Sequence, residues 1–331
     1  MAALAVVDPS VVSRVLNADP TLKVTDATRQ RVLAAVERLG YRPNALARGL
    51  RMATTSAIGL VLPEVSNPVY GPIVVGAERR ASEAGYVLVL GSGADAATTE
   101  ASFARLLDEG RVDALLVASA TVEDELLRGL SRGVAPVLAV NRRIAGAVGS
   151  IVVDDAAGAR LATRHLIELG HRRIVHVSGP PAMDTSARRQ AGYEEAMREA
   201  GLAPRVVLGR GWDAQSGYSV AGDAIGHPAT TALFVANIMA AIGVIRAARE
   251  RGLEVPGDLS VVALHDSPVA EFFEPPLTTV QLPLEQLGRA AVELVMERLD
   301  GASPRDVLLA DPPRLLLRGS TRAVQHASQR R

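Results

Sequence analysis

The segment from Asp8 to Asn17, DPSVVSRVLN, places small polar and basic side chains on one face of a predicted short helix. Aspartate is favoured as the N-cap of a helix, and proline is favoured at the first helical position. The inward apolar stripe consists of Val11, Val12, Val15 and Leu16. The outward face carries Pro9, Ser10, Ser13 and Arg14. Hydroxyl and guanidinium groups bond phosphates and base edges, so this face suits the major groove of DNA.

On its own, this segment also fits an ordinary surface helix of a small helical subdomain. A second helix is predicted over residues 24–40, with Thr25 as its cap and Gly40 at its end. The segment that follows, YRPNALARGLR at 41–51, has little apolar surface. We therefore expect it to be only marginally helical in isolation.

The order and separation of these segments resemble the DNA-binding headpiece and hinge of the lactose/galactose repressor family. The motifs that carry the resemblance near the start are VSRVLN, VTDATRQRV and LGYRPNALAR. Later motifs in the same order are SNPVY at 66–70, LIELGHRRI at 166–174, RQAGY at 189–193, VPGDLSVV at 255–262 and PPLTTV at 275–280. The resemblance implies a sequence-specific transcription regulator, a repressor, whose affinity for operator DNA is controlled by a small effector.

The resemblance also implies roles for residues of the headpiece and the hinge. In the family, the hinge becomes helical on the operator and inserts a leucine into the minor groove, and Leu50 matches that leucine. The candidate DNA contacts are Pro9, Ser10, Ser13, Arg14, Asn17, Asn44, Arg48 and Leu50. A linker without a DNA role is the alternative for the hinge, and Gly49 beside Leu50 weakens a hinge helix.

The first residues depart from the family pattern. Family headpieces begin with a complete helix followed by a turn glycine, whereas Met1 falls inside that helix and Val6 takes the place of the glycine. We therefore expect an N-terminally incomplete headpiece with a shortened first helix. If the turn needs a positive φ, Val6 is strained there.

Composition and charge set the class of protein. The chain has 331 residues, of which 48% are hydrophobic and 22% charged, as is typical of soluble globular proteins. No apolar run approaches the roughly 18 residues of a membrane span, and the start lacks a signal-peptide pattern, so we expect a cytoplasmic protein without a membrane partner. Residues 1–55 hold eight basic and four acidic residues, whereas the whole chain has zero net charge. A basic head on a mildly acidic body concentrates phosphate contacts at one end.

From residue 56, short β-branched runs alternate with amphipathic stretches, a pattern typical of βαβ units and parallel sheets. Strands are predicted at 57–62, 86–90, 114–118, 136–140, 174–177, 232–236 and 259–264. Helices are predicted at 72–84, 101–109, 158–170, 188–200, 239–252 and 284–299. The fold class is thus a small all-α helix-turn-helix headpiece plus an α/β core of two doubly wound parallel-sheet lobes. This core resembles the type I periplasmic binding proteins.

The predicted domains are a headpiece at 1–40, a hinge at 41–55, a core at 56–322 and a tail at 323–331. Lobe 1 spans about 56–154 and takes up a C-terminal crossover from about 281, and lobe 2 spans about 155–280. The resemblance implies a homodimer on a pseudo-palindromic operator, with the dimer face on the helices at 72–84 and 284–299. The tail lacks leucine heptads, so a tetramerising coiled coil is not expected.

Polar residues at strand ends and in the loops that follow form the candidate effector site, because ligands of such folds bind at the carboxyl ends of the strands. These candidates are Tyr70, Ser92, Asn141, Thr185, Arg189, Trp212, Asn237 and His265. Arg189 matches the arginine with which the family grips effector hydroxyl or carboxylate groups, and a guanidinium fork suits that task. Trp212 is alternatively a packing residue between the lobes.

Three positions depart from the family's effector site. Ile238 and His265 stand where aspartates are usual, and Leu282 stands where a cleft glutamine is usual. Of the sugar-like or other small effectors, these changes favour an apolar or anionic one over a standard sugar. If His265 lines the cleft, effector affinity should vary near pH 6.5, whereas pairing with Asp266 is the structural alternative.

Motifs of catalysis are missing from the sequence. It contains no GxSxG, GxxxxGK[ST], HExxH or GxGxxG pattern after a strand, and its histidines lack the spacing of metal ligands. The pair Asp154-Asp155 is interpreted as an acidic helix entry. We therefore expect neither an enzyme nor a cofactor or metal site. The alternative to a regulator is a ligand-binding protein of the same core fold with weak or lost DNA binding.

Overall fold

A computed structural model gives the fold of the chain. The structure describes residues 1–16, 19, 21–40, 54–64, 67–92, 105–107, 109–118, 127–129, 133, 135–144, 148–226 and 230–324. The chain divides into two compact units, residues 1–55 and 56–331. Four predicted DNA contacts lie outside the described residues: Asn17, Asn44, Arg48 and Leu50. The predicted helix at 101–109 also lies largely outside them.

The described residues of the first unit form three short helices, α1 (Ala2–Ala5), α2 (Pro9–Leu16) and α3 (Asp26–Arg38). The carboxylate of Asp8 accepts a hydrogen bond from the backbone N–H of Ser10, and the hydroxyl of Thr25 accepts one from Thr28. The small core of this unit consists of Ala5, Val12, Val15, Val32 and Ala35. The two predicted helices and their caps are thus confirmed, and α1 has four residues.

Lobe 1 of the second unit is built on a parallel sheet of six strands in the order β11-β5-β4-β3-β1-β2. Its strands are β1 (Ala57–Leu62), β2 (Val87–Ser92), β3 (Ala114–Val117), β4 (Val137–Val140), β5 (Ser150–Val152) and β11 (Asp306–Leu308). Strands β1, β3 and β4 are buried along their whole length, as the continuous apolar runs predict.

Lobe 2 is built on a second six-stranded sheet in the order β12-β10-β9-β8-β6-β7. Its strands are β6 (Ile174–Ser178), β7 (Arg205–Leu208), β8 (Ala232–Val235), β9 (Ser260–Leu264), β10 (Thr278–Gln281) and β12 (Arg314–Leu316). All pairs are parallel except β10 with β12, which are antiparallel. The seven strands predicted from sequence are confirmed, with ends that shift by at most about two residues.

Helices cover the two sheets. They are α4 (Tyr70–Glu83), α5 (Asp155–Glu168), α6 (Asp184–Glu199), α7 (Ala214–Ile225), α8 (Ile238–Glu250) and α9 (Leu284–Leu299), with a 3₁₀ helix at Pro268–Phe272. Helix α9 crosses back and packs on α4 of lobe 1, as predicted. A Cβ atom added to Gly288 would overlap the carbonyl oxygen of Ile73, so the crossing depends on glycine.

Two parts of the sequence prediction need correction. The sequence does not predict helix α7, because its segment AQSGYSVAGDAI is rich in glycine and serine. Five further strands have only three or four residues, which is too short to show a period: β5, β7, β10, β11 and β12. The chain from about 281 was assigned to lobe 1, whereas β12 returns to the sheet of lobe 2. The main chain therefore passes between the lobes three times.

Candidate functional site

A cavity of about 300 Å³ lies between the lobes, and residues of both lobes line it. Seven of the predicted effector contacts are among its lining residues: Tyr70, Asn141, Thr185, Arg189, Trp212, Asn237 and His265. The eighth, Ser92, does not line the cavity, because it ends the edge strand β2 with an exposed side chain. Sequence reasoning did not select four other polar lining residues: Asn67, Arg142, Arg143 and Asp184. Their position after strands or at a helix start was the available signal.

Two lining residues have left-handed backbone conformations. Asn141 directly follows β4 in lobe 1 with φ of 59°, and His265 directly follows β9 in lobe 2 with φ of 66°. A non-glycine residue in this region is strained, and such strain is concentrated at binding and catalytic sites. Both residues stand at the carboxyl end of a strand and line the cavity.

Arg189 on α6 is the most constrained side chain of the site. It is 2% exposed, and its Nε donates to Oδ1 of Asp155 at 2.7 Å. Its Nη1 donates to the carbonyl oxygen of Ala236 at 2.9 Å, and its Nη2 lies 3.2 Å from Nε2 of His265. The guanidinium carbon also lies 4.9 Å from the centre of the Trp212 ring, within range of a cation–π contact. The arginine is therefore a fixed part of the cavity wall.

The neighbouring arginine completes a chain of alternating charges. Arg188 Nη1 lies 2.6 Å from Oδ2 of Asp155, and its Nε donates to Asp184 at 3.0 Å. The chain Arg189–Asp155–Arg188–Asp184 has no net charge. The pair Asp154-Asp155 is confirmed as an acidic helix entry, since Asp154 is the N-cap of α5 and Asp155 lies in its first turn. In addition, Asp155 is fully buried between two guanidinium groups.

Asn237 supports the site instead of offering free polar groups. Its side-chain oxygen accepts from the N–H of Ala240 at the start of α8, and its Nδ2 donates to the carbonyl oxygen of Trp212 at 2.8 Å. The indole ring of Trp212 packs on Gly179, where an added Cβ would overlap three ring atoms. Trp212 is thus both a lining residue and a tightly packed one.

The structure overturns three expectations about the departures from the family pattern. His265 does not pair with Asp266, because Asp266 accepts from Thr279 at 2.6 Å and pairs with Arg318 at 2.9 Å. Burial and the charge of Arg189 hold the pKa of His265 well below 6.5, so effector affinity is not expected to titrate near pH 6.5. Leu282 packs in the hydrophobic core and does not line this cavity.

The phenol of Tyr70 adds a neutral group to the same wall. Burial raises the pKa of Tyr70 to about 12, although the positive charge of Arg189 acts in the opposite direction. The side chain therefore keeps its O–H at physiological pH and can both donate and accept a hydrogen bond.

The candidate DNA face lies on α2 of the first unit. Pro9, Ser10 and Arg14 are exposed on α2, and Ser13 is half-buried. Arg14 is already engaged, since its Nε donates to Asp19 at 2.7 Å and its Nη2 to Thr21 at 2.9 Å. Hydrogen bonds from Arg14 and Thr21 lower the pKa of Asp19 to about 2. To contact a base or a phosphate, Arg14 must therefore either use a donor that does not bond Asp19 or break the pair with Asp19.

Val6 provides a test of the headpiece turn. Its φ of 53° and ψ of 52° are left-handed, which a β-branched residue adopts at a cost of roughly 1 to 2 kcal/mol. Val6 is 79% exposed, so little packing would be lost on substitution. We expect Val6→Gly to stabilise the headpiece by about 1 kcal/mol. Amide hydrogen exchange at buried positions of α3 in the full chain measures this gain.

Val6→Ala is the matched control, because it removes the branch but keeps the Cβ that clashes in this conformation. Its gain should be smaller than that of Val6→Gly. Unchanged or faster exchange in Val6→Gly would show that the turn is not strained.

Within the part of the chain that the structure describes, no helix is long and apolar enough to cross a membrane. The same residues contain no group of three or more histidines or carboxylates placed to hold a metal ion.

Comparisons with known proteins cover the whole chain. A family model described as bacterial regulatory proteins, lacI family, matches residues 1–44, and a periplasmic binding protein-like domain matches residues 163–321. The HTH-type transcriptional repressor PurR of Photobacterium profundum is 32% identical over 97% of this chain and 97% of that protein. The lac repressor dimer bound to operator and the anti-inducer ONPF has a TM-score of 0.84 at 27% identity, over 97% of this chain and 98% of that one. A complex of the transcriptional regulator CelR with cellobiose has a TM-score of 0.75 at 32% identity, over 96% and 98%.

Proposed function

The chain belongs to the lacI family of bacterial regulatory proteins, and from this membership we propose that an uncharged polar molecule in the cavity controls its affinity for DNA. The protein is a DNA-binding transcription regulator that acts on operator DNA as a homodimer, and its partners are the operator and a small effector. We assign operator recognition to the outward face of α2, with Arg14 as the base-reading residue. We also propose that the chain consists of a headpiece at 1–40, a hinge at 41–55 and a core at 56–322.

The proposed class of effector depends on one observation: the alternating charges of Arg189, Asp155, Arg188 and Asp184 sum to zero. Asp155 already compensates Arg189, and Asp184 compensates Arg188. Arg142 and Arg143 also line the cavity, but Arg143 is exposed, so that solvent screens its charge. An anionic effector therefore gains little free energy of binding from Arg189. Leu282 does not line the cavity, so it gives no preference for an apolar effector. A sugar-like polyhydroxyl molecule fits a polar wall in which carboxylates already compensate Arg188 and Arg189.

Lobe closure links the cavity to the DNA-binding unit. A ligand that bonds Asn141 in lobe 1 and His265 in lobe 2 favours one relative position of the lobes over another. The coupling is reciprocal, so operator DNA must change effector affinity by the same factor as the effector changes DNA affinity. The same coupling serves an inducer or a co-repressor, according to which lobe position allows DNA binding.

Trp212 is the only tryptophan of the chain, so its fluorescence reports on the cavity directly. We expect cellobiose or another neutral sugar to change this fluorescence saturably and to shift binding of the promoter DNA beside the protein's own gene. The corresponding aldonic acids and sugar phosphates should bind at least tenfold more weakly. Preferential binding of the anionic sugars would contradict the proposed effector class.

The variant Arg14→Ala separates DNA recognition from effector binding. A bidentate base contact contributes roughly 1 to 3 kcal/mol of discrimination, so this variant should lose about tenfold or more of its preference for the promoter over random DNA. Its fluorescence response to sugar should be unchanged. If the wild-type chain itself binds promoter and random DNA equally, with and without sugar, it is a ligand-binding protein of this core fold instead.

A further inference from the structure

The hydrogen bond between Arg189 and His265 determines the protonation state of the histidine ring. Nη2 of Arg189 lies 3.2 Å from Nε2 of His265, and both side chains are 2% exposed. A guanidinium has donors only, so Nε2 must be the acceptor and carry no proton. Because the ring is neutral at physiological pH, its single proton is placed on Nδ1.

This N–H group has no partner among the residues that the structure describes. Nδ1 of His265 is buried and makes no hydrogen bond there, although the ring lines the cavity. A buried unpaired donor costs free energy, and so does the left-handed backbone that places the ring at this point. The cost of the unpaired donor is recovered when an acceptor atom enters the cavity and takes the hydrogen bond.

Asn141 shows the same combination of features in the other lobe. Its Oδ1 is buried and makes no hydrogen bond within the described part of the chain, and its backbone is left-handed. It too directly follows a strand and lines the same cavity. Each lobe therefore presents one unpaired polar atom at a strained strand end, an N–H donor from lobe 2 and an oxygen acceptor from lobe 1.

We propose that His265 is a specificity-determining donor, whose Nδ1–H requires an acceptor oxygen of the effector while Oδ1 of Asn141 requires a hydroxyl proton from it. The effector is then an uncharged hydroxyl-bearing molecule that spans the two lobes, since one hydroxyl group both accepts and donates. Arg189 is a positioning residue in this scheme, because it fixes the tautomer, and Asp155 holds Arg189 in place. The identification of the ligand rests on the proposed function, whereas the tautomer does not.

The tautomer is measured without any ligand. In the full-length protein labelled with ¹⁵N-histidine, imidazole correlation spectra at pH 7 should show the His265 ring protonated at Nδ1 only. The variant His265→Gln identifies the resonance by its loss. Arg189→Met should release the constraint and yield a mixture of tautomers. A ring protonated at Nε2, or at both nitrogens, in the wild-type protein would overturn the donor assignment.

Two variants with amide side chains distinguish the role of Nδ1 from that of Nε2. The side-chain amide of His265→Asn reaches the Nδ1 position and can still donate to the ligand, whereas that of His265→Gln reaches the Nε2 position and keeps only the contact with Arg189. In a Trp212 fluorescence titration with cellobiose, we expect the asparagine variant to bind within about threefold of wild type. The glutamine variant should lose about tenfold or more, as for one lost hydrogen bond.

Thermal unfolding of both variants checks that they remain folded. Equal affinities of the two folded variants, or tighter binding by the glutamine variant, would overturn the role of Nδ1. Failure of cellobiose and every other neutral sugar to bind the wild-type protein would overturn the proposed effector class together with this specificity role, even with the tautomer as expected. The spectra and the titrations thus separate the failure of the donor assignment from the failure of the proposed function.

Discussion

Replacing Asp155 with alanine should lower the free energy of unfolding by about 3 to 5 kcal/mol. Asp155 is fully buried, and its two carboxylate oxygens contact Arg189 at 2.7 Å and Arg188 at 2.6 Å. Without the carboxylate, a guanidinium that is 2% exposed remains in the interior and has lost the anion with which it pairs. The cost of an uncompensated buried charge, rather than the net contribution of the ion pair, dominates this loss.

Equilibrium urea unfolding of the full chain measures the effect. Asp155→Asn should lose nearly as much stability, because it preserves volume but not charge. Asp184→Asn is the matched control: its carboxylate pairs with the same Arg188 but is 29% exposed, so a loss below about 1 kcal/mol is expected. A loss below about 1 kcal/mol for Asp155→Ala itself would contradict the assignment of Asp155 as the charge that holds the site.

Gly192→Ala should destabilise the protein by about 1 to 3 kcal/mol and weaken effector binding at the same time. A Cβ atom at this position of α6 would overlap the carbonyl oxygen of Ala156 in α5. The backbone atoms of a helix cannot move aside singly, so the two helices must separate. Arg189 precedes Gly192 by one turn of α6 and reaches Asp155 at the start of α5, so the separation also disturbs the ion pair of the site.

Gly71→Ala on α4 is the control for this substitution, since no atom lies within 4 Å of an added Cβ there. Alanine in an open helical position should stabilise the protein by about 0.5 to 1 kcal/mol. Urea unfolding and the Trp212 fluorescence titration with cellobiose are measured on both variants. Unchanged stability and affinity in Gly192→Ala would show that the close approach of α5 and α6 is not needed.

Much of the architecture could be predicted because its determinants are local. The caps Asp8 and Thr25 lie within three residues of the N–H groups that they bond. The strand β1 is a continuous apolar run, and the crossover helix Leu284–Leu299 shows its period in full. The strained turn at Val6 follows from the resemblance, in which glycine occupies this position, because valine by itself favours a negative φ.

The composition of the candidate site was predicted only in part. Tyr70 and Asn141 line the cavity because residues after parallel strands collect at one edge of each sheet, whereas Arg189 lies within α6 and follows from the resemblance. The same reasoning selected Ser92, which is exposed at the end of an edge strand. The resemblance placed Leu282 in the cleft, whereas it packs in the hydrophobic core. A strand end identifies an edge of a sheet but does not say which positions along that edge border the cavity.

The sequence by itself determined the two capped headpiece helices, the α/β alternation of the core and the polar strand ends, since each depends on residues a few positions apart. The tertiary structure alone decided that Asp155 is a buried counterion for Arg189, 34 residues away, and that Arg189 contacts His265, 76 residues away. Periodicity and capping carry no information about such pairs. The partners of a buried charge are set by the packing of helices and sheets, which brings distant residues together and excludes the water that would otherwise solvate them.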